Sequence, residues 1–189
     1  MLTGLLLYAA VQAAPAPTAT VAGLPDDTVR AVVRLAGSPR SALDAPAPAF
    51  ADSLVLDKSE RRLALFSHGT LVKEYIVALG RNPVGDKLSR GDGRTPEGVF
   101  TIEGRNPQSK YHLALRISYP DAAHRTVAKR RGVSAGGDIM IHGLPDAFAS
   151  VGALHRQQDW TEGCVALTNQ EIEEIYRAVP DGARIFIKP

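Results

Sequence analysis

Cys164 is the only cysteine of the chain, and its type and position suggest chemistry more directly than those of any other residue. It follows the polar run Asp159-Trp160-Thr161-Glu162-Gly163 and precedes the apolar run Val165-Ala166-Leu167, which places its thiol at the mouth of a buried strand. A lone cysteine cannot form an intramolecular disulfide, and it lacks cysteine partners for a structural zinc or iron–sulfur site. The pattern therefore leaves an inert buried thiol, an intermolecular bridge or a reactive thiolate.

His142 is the strongest candidate for a base that would activate this thiol. A thiolate nucleophile needs a base or positive surroundings, because a free cysteine is mostly protonated near neutral pH. His142 ends the apolar run Ile139-Met140-Ile141 and precedes Gly143, so it is predicted to lie at a strand end where the backbone can approach closely. The alternative is a partly buried histidine whose ring is satisfied by a backbone carbonyl.

The other histidines are weaker candidates for chemistry. His155 is the second choice for a base, because it lies between His142 and Cys164 in the chain. His68, His112 and His124 lie in turn-like or polar surroundings. No histidine spacing resembles HExxH or another metal motif, so the sequence predicts neither a metal nor a cofactor.

Composition and length restrict the class of protein. The 189 residues suit one domain with a short appendage. Lys and Arg number 22 against 20 Asp and Glu, so no strong positive field favours nucleic acid as a partner. The 17 glycines and 13 prolines favour a loop-rich β architecture over a helical bundle, and we expect a monomer.

The N-terminal region is typical of an exported protein. Residues 1–13 are predicted to be a signal peptide, with an apolar stretch followed by Val11 and Ala13 at the −3 and −1 cleavage positions. They lack the usual Lys or Arg, so a short hydrophobic helix or a membrane anchor is the alternative. Residues 14–51 are rich in Ala and Pro and are predicted to be a tether. An unpaired cysteine in an exported protein is unusual, because oxidising compartments generally pair their thiols.

The remaining residues, 52–189, are predicted to form a mainly β domain with one helix near its C-terminus. Short β-rich runs separated by Gly and polar turns indicate a meander. The predicted strands are 53–57, 63–66, 71–80, 98–102, 114–118, 138–142 and 183–187. The helix is predicted to begin after Thr168, because Thr168 and Glu171 have the spacing of a capping box.

These residues together carry a resemblance to a known family. Ile141-His142-Gly143, followed by Thr161-x-Gly163-Cys164-Val165, resembles the L,D-transpeptidase catalytic domain, also called the YkuD domain. Gly85-Asp86-Lys87 and Gly91-Asp92-Gly93-Arg94-Thr95-Pro96-Glu97-Gly98 are similar to its Gly-Asp…Thr-Pro-x-Gly segment. The likeness covers residues 53–188 in the same order, and Asp159-Trp160-Thr161-x-Gly163-Cys164 is similar to a subgroup common in Gram-negative bacteria. The resemblance implies a YkuD-like β-sandwich or barrel.

The resemblance also implies roles for the site residues. Cys164 would be the nucleophile and His142 the proton acceptor and donor, with the backbone N–H groups of Gly163 and Cys164 as oxyanion donors. We expect a backbone carbonyl near Gly143 to orient His142. The substrate-binding candidates are Gly143, Arg156, Trp160, Thr161 and Glu162.

Two features depart from the usual family pattern. Glu162 stands where the commonest motif has a second histidine, and the interval of 22 residues from His142 to Cys164 is longer than usual. Residues 144–158 are therefore predicted to form an enlarged loop over the site, with Arg156 able to meet a carboxylate.

The implied activity is acyl transfer on peptidoglycan stem peptides in the periplasm, through a cysteine thioester, with an outer-membrane lipoprotein as a further partner. Hydrolysis of peptidoglycan or of lipoprotein–peptidoglycan links by an endopeptidase, carboxypeptidase or amidase is the alternative outcome. A papain-like protease is disfavoured because its cysteine precedes its histidine, whereas His142 precedes Cys164 here. A wall-binding β module with a buried Cys164 is the non-enzymatic alternative.

Overall fold

The computed structural model describes residues 42–189. The predicted signal peptide and residues 14–41 of the predicted tether lie outside the described residues. Ala51, at the end of the predicted tether, is fully buried, and its N–H donates to the carbonyl of Ala178 at 2.9 Å. The packed domain therefore includes Ala51.

Within residues 42–189 the chain forms eight strands, two α-helices and one long 3-10 segment. The strands are β1 (Ser53–Asp57), β2 (Arg62–Ser67), β3 (Thr70–Ile76), β4 (Gly98–Ser109), β5 (His112–Ile117), β6 (Met140–His142), β7 (Val165–Ala166) and β8 (Arg184–Lys188). The helices are α1 (Ala122–Arg130) and α2 (Asn169–Ala178), and the 3-10 segment is Asp146–Gln157. The prediction of a mainly β domain is confirmed.

One curled sheet holds all eight strands, in the order β3-β2-β1-β8-β4-β5-β6-β7. Strands β1 and β8 pair in parallel, as do β6 and β7, and the other neighbours are antiparallel. The curl brings the chain after β3 back to β7, where Ala78 and Ala166 exchange backbone hydrogen bonds of 3.0 and 2.8 Å. Gly80 forms a second bridge, to Thr161. The two ends of the sheet thus meet beside the residue predicted to be the nucleophile.

Helix α2 packs its buried face against strands β5 and β6 of the sheet. Thr168 caps it by accepting from the Glu171 N–H, and the Glu171 carboxylate accepts from the Thr168 N–H, as the capping-box pattern predicts. Ile172 and Ile175 are fully buried in the main apolar cluster. This packing anchors β5 and β6, and with them the residues at the end of β6.

The structure contains two helical elements that the sequence pattern did not predict. Asp121 caps the start of helix α1, because its side chain accepts from the His124 N–H. Ala128 is the only buried residue of this helix. A helix without an apolar stripe gives no periodic signal. The 3-10 segment Asp146–Gln157 occupies the predicted enlarged loop, with a break at Gly152 and no buried residue.

The sheet also extends further than predicted. Strand β4 continues seven residues past Ile102 because it forms a projecting hairpin with β5, with bulges beside Ile102 and Asn106. The projecting residues are polar, which hid the strand from an apolar pattern. No helix among residues 42–189 has the length and apolar character needed to span a bilayer.

Candidate active site

His142 lies at the end of β6 with its imidazole almost fully buried. Its Nδ1 is 2.7 Å from the carbonyl oxygen of Gly143. A carbonyl oxygen can only accept, so Nδ1 carries the proton and Nε2 has a free lone pair. The expected backbone carbonyl thus orients the ring, and it leaves Nε2 in the tautomer that a general base requires.

Two aromatic rings hold the His142 imidazole in place. Tyr111 lies against it with ring centroids 4.3 Å apart, and Trp160 meets it edge-on at 5.9 Å. Burial lowers the pKa of His142, and its bond to the Gly143 carbonyl opposes that shift only in part. The imidazole is therefore neutral at neutral pH and able to accept a proton.

Cys164 directly precedes β7 and shares a face of the sheet with His142. The parallel register pairs His142 with Ala166, and residues two apart along a strand point to the same side. The Cys164 thiol donates to the Asp138 carbonyl at 3.5 Å. Burial raises the pKa of the Cys164 thiol, while the Met140 N–H and the Lys87 charge lower it. The resting thiol is therefore protonated, and its hydrogen-bond partner is the Asp138 carbonyl.

Thr161 organises the turn of residues 161–164, which carries the candidate nucleophile Cys164. Its hydroxyl donates to the Cys164 carbonyl at 2.8 Å and accepts from the Gly163 N–H at 3.0 Å. Its backbone is fixed to the segment after β3, because its N–H donates to the Leu79 carbonyl and its carbonyl accepts from the Arg81 N–H. Thr161 is 4% exposed, which fits a structural role in this turn better than direct contact with a substrate.

The structure alters the expected set of oxyanion donors. Both Gly163 and Cys164 were predicted to offer their N–H groups, but the Gly163 N–H is directed to the Thr161 hydroxyl. The Cys164 N–H is the donor of this pair that Thr161 does not occupy. The sequence pattern could not reveal this, because the hydroxyl of a threonine two residues away competes for the same group.

Gly163 is required at its position by both backbone conformation and space. Its φ is +129°, and a Cβ there would lie 2.4 Å from the Arg94 carbonyl oxygen and 3.1 Å from Cδ1 of Ile139. The turn therefore packs directly on the backbone of Arg94, with no room for a side chain.

Gly163→Ala is expected to lower the free energy of unfolding by about 2 kcal/mol or more, since backbone strain of this kind costs about 1–3 kcal/mol before any clash. Turnover should fall by about 100-fold, because the thiol moves with its turn. Gly132→Ala is a matched control, as Gly132 also has a positive φ, +67°, but nothing lies within 4 Å of its Cβ position. Thermal unfolding and turnover of both variants test this, and an active, stable Gly163→Ala would contradict it.

Gly143 is also enclosed. A Cβ at Gly143 would lie 2.6 Å from Oδ1 of Asn169 and 3.0 Å from the Tyr111 carbonyl oxygen. Asn169 Oδ1 accepts from the Leu144 N–H at 2.7 Å, which holds the chain after His142 against the start of α2. The structure thus gives Gly143 a packing role and does not place it on an open surface for a substrate.

An apolar groove of about 540 Å³ opens next to the His142 ring. The 3-10 segment forms one wall, with Phe148 and Leu154 well exposed, and Trp160 and Tyr111 form the other. His155 also lines it, and burial together with the neighbouring Arg156 charge lowers the pKa of His155 to about 4. The groove therefore presents neutral side chains beside the candidate base, and Trp160 belongs to both.

Two charged candidates for substrate contact are engaged within the protein. The Arg156 guanidinium binds the Glu171 carboxylate, in a separate hollow that it shares with Lys73 and Glu174. The Glu162 carboxylate accepts from the Arg81 guanidinium at 2.8 Å on the surface. Arg156 thus anchors the end of the 3-10 segment to α2 instead of facing the thiol.

Sequence reasoning missed two residues of the site. Tyr111 lies in the β4–β5 turn, and no local pattern connects it to His142 more than 30 residues later. Lys87 belongs to the Gly-Asp-Lys motif, for which the sequence suggests no role at the site. Its Nζ lies 3.4 Å from the Glu162 carbonyl oxygen in the turn of residues 161–164, the candidate nucleophile turn. Among residues 42–189, no group of three or more His, Cys, Asp or Glu side chains could hold a metal ion.

The described residues form a curled β-sheet with an oriented histidine at the end of β6 and a cysteine directly before the parallel strand β7. Residues 51–187 match the model of the YkuD family, the L,D-transpeptidase catalytic domain. The chain belongs to this family and is an enzyme of it. Family members act on peptidoglycan peptides, which lie outside the cytoplasm.

Individual relatives agree with this assignment. The chain is 30% identical over 138 residues to YafK of Escherichia coli K12, which is described as a candidate L,D-transpeptidase. The aligned region covers 70% of this chain and 48% of YafK. The helical cell shape determining protein Pgp2 of Campylobacter jejuni is similar in structure, with a TM-score of 0.55 and 25% identity over 78% of this chain and 52% of Pgp2. Bd1075 of Bdellovibrio bacteriovorus is also similar in structure, with a TM-score of 0.52 and 26% sequence identity. The match covers 74% of this chain and 49% of Bd1075. The chain spans about half the length of these proteins.

Proposed function

We propose that the protein is a cysteine-dependent L,D-transpeptidase that transfers acyl groups from peptidoglycan stem peptides through a Cys164 thioester. The observation that carries the proposal is the 2.7 Å contact from His142 Nδ1 to the Gly143 carbonyl, because it leaves Nε2 as a free base on the face that bears the thiol. Membership of the family supplies the substrate class.

The first half-reaction forms the thioester. His142 Nε2 accepts the Cys164 proton, and the thiolate attacks the peptide carbonyl between an L-centre and a D-residue. The carbonyl oxygen becomes an oxyanion, for which the Cys164 N–H is a donor. When the tetrahedral intermediate collapses, the carbon–nitrogen bond breaks, and the His142 imidazolium gives its proton to the leaving amine.

The second half-reaction depends on the acceptor. His142, neutral again, removes a proton from the incoming nucleophile, which attacks the thioester and releases the Cys164 thiolate to be reprotonated. A meso-diaminopimelate amine gives a cross-link, a lysine amine of an outer-membrane lipoprotein gives an anchor, and water gives hydrolysis. Endopeptidase, carboxypeptidase and amidase activities are thus outcomes of the same site.

The apolar groove supports a role in binding one of these partners. Trp160 lines the groove and also contacts the His142 ring, so an occupant of the groove lies directly beside the base.

We place the protein in the periplasm, exported by its N-terminal segment and active as a monomer.

Mass spectrometry of purified muropeptides after incubation with the protein tests the proposal. We expect loss of tetrapeptide donors and a covalent acyl adduct on Cys164. A gain of cross-linked or amine-exchanged products indicates transfer, whereas shortened stems alone indicate hydrolysis by the same thioester route. If the muropeptides stay intact and Cys164 carries no adduct, while the protein still binds cell walls, the protein is instead a wall-binding module.

A further inference from the structure

We propose that Lys87 is a positioning residue that stabilises the thiolate of Cys164 and holds the turn that carries it. The proposal rests on the proposed function, because it concerns the same nucleophile. It assigns a role to a buried cation that the proton transfers of His142 and Cys164 do not use.

Lys87 is unusual because its ammonium group is buried. The residue is 3% exposed, whereas lysines almost always keep their charge in water. Its Nζ donates to Asp92 Oδ1 at 2.7 Å and reaches the Glu162 carbonyl oxygen at 3.4 Å. Glu162 is two residues before Cys164, so this buried charge touches the backbone of the nucleophile turn.

Asp92 does not need Lys87 alone to satisfy its charge. Its carboxylate also accepts backbone N–H bonds of 2.7 Å from Leu88, 3.0 Å from Ser89 and 3.0 Å from Arg94. Burial alone would raise the pKa of Asp92, but these bonds and the one from Lys87 lower it. Four donors therefore hold the Asp92 carboxylate, and Lys87 is the one among them that also reaches the turn before Cys164.

The thiolate is the neighbour that benefits most from a nearby cation. The Cys164 thiol is hydrogen-bonded to the Asp138 carbonyl at rest, and the His142 imidazole is neutral. When the proton moves to His142, a negative charge appears on sulfur in a buried environment, where a fixed positive charge is most effective. Among the causes acting on the thiol pKa, Lys87 is the cation that lowers it.

Other charged groups lie near Lys87 and must be considered in any pH experiment. Arg90, Asp138 and Glu162 line the same small hollow of about 170 Å³ as Lys87. The Glu162 carboxylate is bound by Arg81, and Asp86 accepts from the Lys87 and Glu97 N–H groups. Asp138 opposes the effect of Lys87 on the thiol, so the cation has a specific charge to outweigh.

Lys58 provides a matched control within the same region. It is 2% exposed and donates to the carbonyls of Gly85 and Thr95 and to Glu97 at 2.7, 3.1 and 2.7 Å. It is thus a second buried, ion-paired lysine that supports the neighbouring loop, but it does not contact the nucleophile turn. Its removal measures the cost of losing a buried lysine as such.

The test measures the pH dependence of Cys164 alkylation by iodoacetamide in the full chain. Lys87→Met is expected to raise the alkylation pKa by about one unit, which is about a tenfold fall in rate at pH 7, because one unit is a tenfold change in the thiolate fraction. Lys87→Arg is expected to restore most of the rate, and Lys58→Met is expected to leave the alkylation pKa unchanged.

Each outcome decides the proposal. A wild-type alkylation pKa in Lys87→Met, or an equal shift in Lys58→Met, would overturn it and leave Lys87 a purely structural residue. If thermal unfolding shows that Lys87→Met does not fold, Lys87→Gln removes the charge while keeping a donor, and its alkylation pKa decides in the same way. A wild-type Cys164 that forms no acyl adduct with muropeptides would defeat the proposed function instead, whatever Lys87 does.

Discussion

Cys164→Ser is expected to lower the turnover of a tetrapeptide donor by about 10⁴-fold or more, since a serine hydroxyl is far harder to ionise than a thiol beside the same base. The change removes one weak thiol contact of 3.5 Å to the Asp138 carbonyl and little volume, so the free energy of unfolding should change by about 1 kcal/mol or less. Product formation by liquid chromatography and a thermal unfolding curve measure the two effects.

Thiol labelling supplies the control for this prediction. The wild-type protein should lose activity in step with alkylation of Cys164, the only cysteine of the chain. Cys164→Ser should resist both labelling and acyl-adduct formation. Full turnover by Cys164→Ser, or full activity of the alkylated wild type, would contradict a role for this thiol as the nucleophile.

His142→Ala is expected to reduce turnover by about 10³-fold, within the range that general acid–base catalysis supplies. The variant should also lose about 2 kcal/mol of stability, because the buried ring leaves a cavity and the Gly143 carbonyl loses its donor. Steady-state kinetics on the donor, with unfolding curves to confirm that the domain remains folded, measure both effects.

The pH profile identifies His142 more specifically than its removal does. Burial lowers its pKa, so the neutral base persists to a lower pH than for an exposed histidine. The acidic limb of kcat/KM should therefore lie below the ordinary imidazole value of about 6.5, with activity lost as the pH falls through it. That limb should disappear in His142→Ala.

His155 is the other histidine that could act as a base, and its replacement distinguishes the two. His155 lines the apolar groove, where Trp160 Nε1 donates to its Nδ1 at 3.4 Å. His155→Ala should keep kcat within about tenfold while changing KM, since it removes part of a wall and not the base. A loss of kcat as large as that of His142→Ala would transfer the role of base to His155.

The sequence predicted most of the strands and singled out Cys164 and His142 as candidate reactive residues, because both have local signals. Alternating apolar runs give β1, β2 and β3, and a capping box gives the start of α2. Cys164 stands out because it lies between a glycine and the apolar run that follows it. His142 stands out because it lies between an apolar run and the glycine that follows it.

The rest of the site depends on contacts between distant parts of the chain, which no local pattern encodes. Arg156 looked free to bind a carboxylate, but Glu171 on α2 occupies it. Gly163 looked open to a substrate oxygen, but its N–H is bound by Thr161 and its Cα packs on the Arg94 carbonyl. Whether a polar group is available or already bonded is a property of the folded state, and the sequence shows only that the group is present.

The junction of the two ends of the sheet determines when in folding the turn around Cys164 takes its shape. The bridge from Ala78 to Ala166 and the bonds of Thr161 to Leu79 and Arg81 join segments that are some 80 residues apart in the chain. Contacts of such long range form only after a large loop-closure entropy has been overcome. The turn of residues 161–164 therefore takes its shape together with the whole domain and not as a local hairpin, so that the geometry around this one sulfur atom is complete only when the domain has folded.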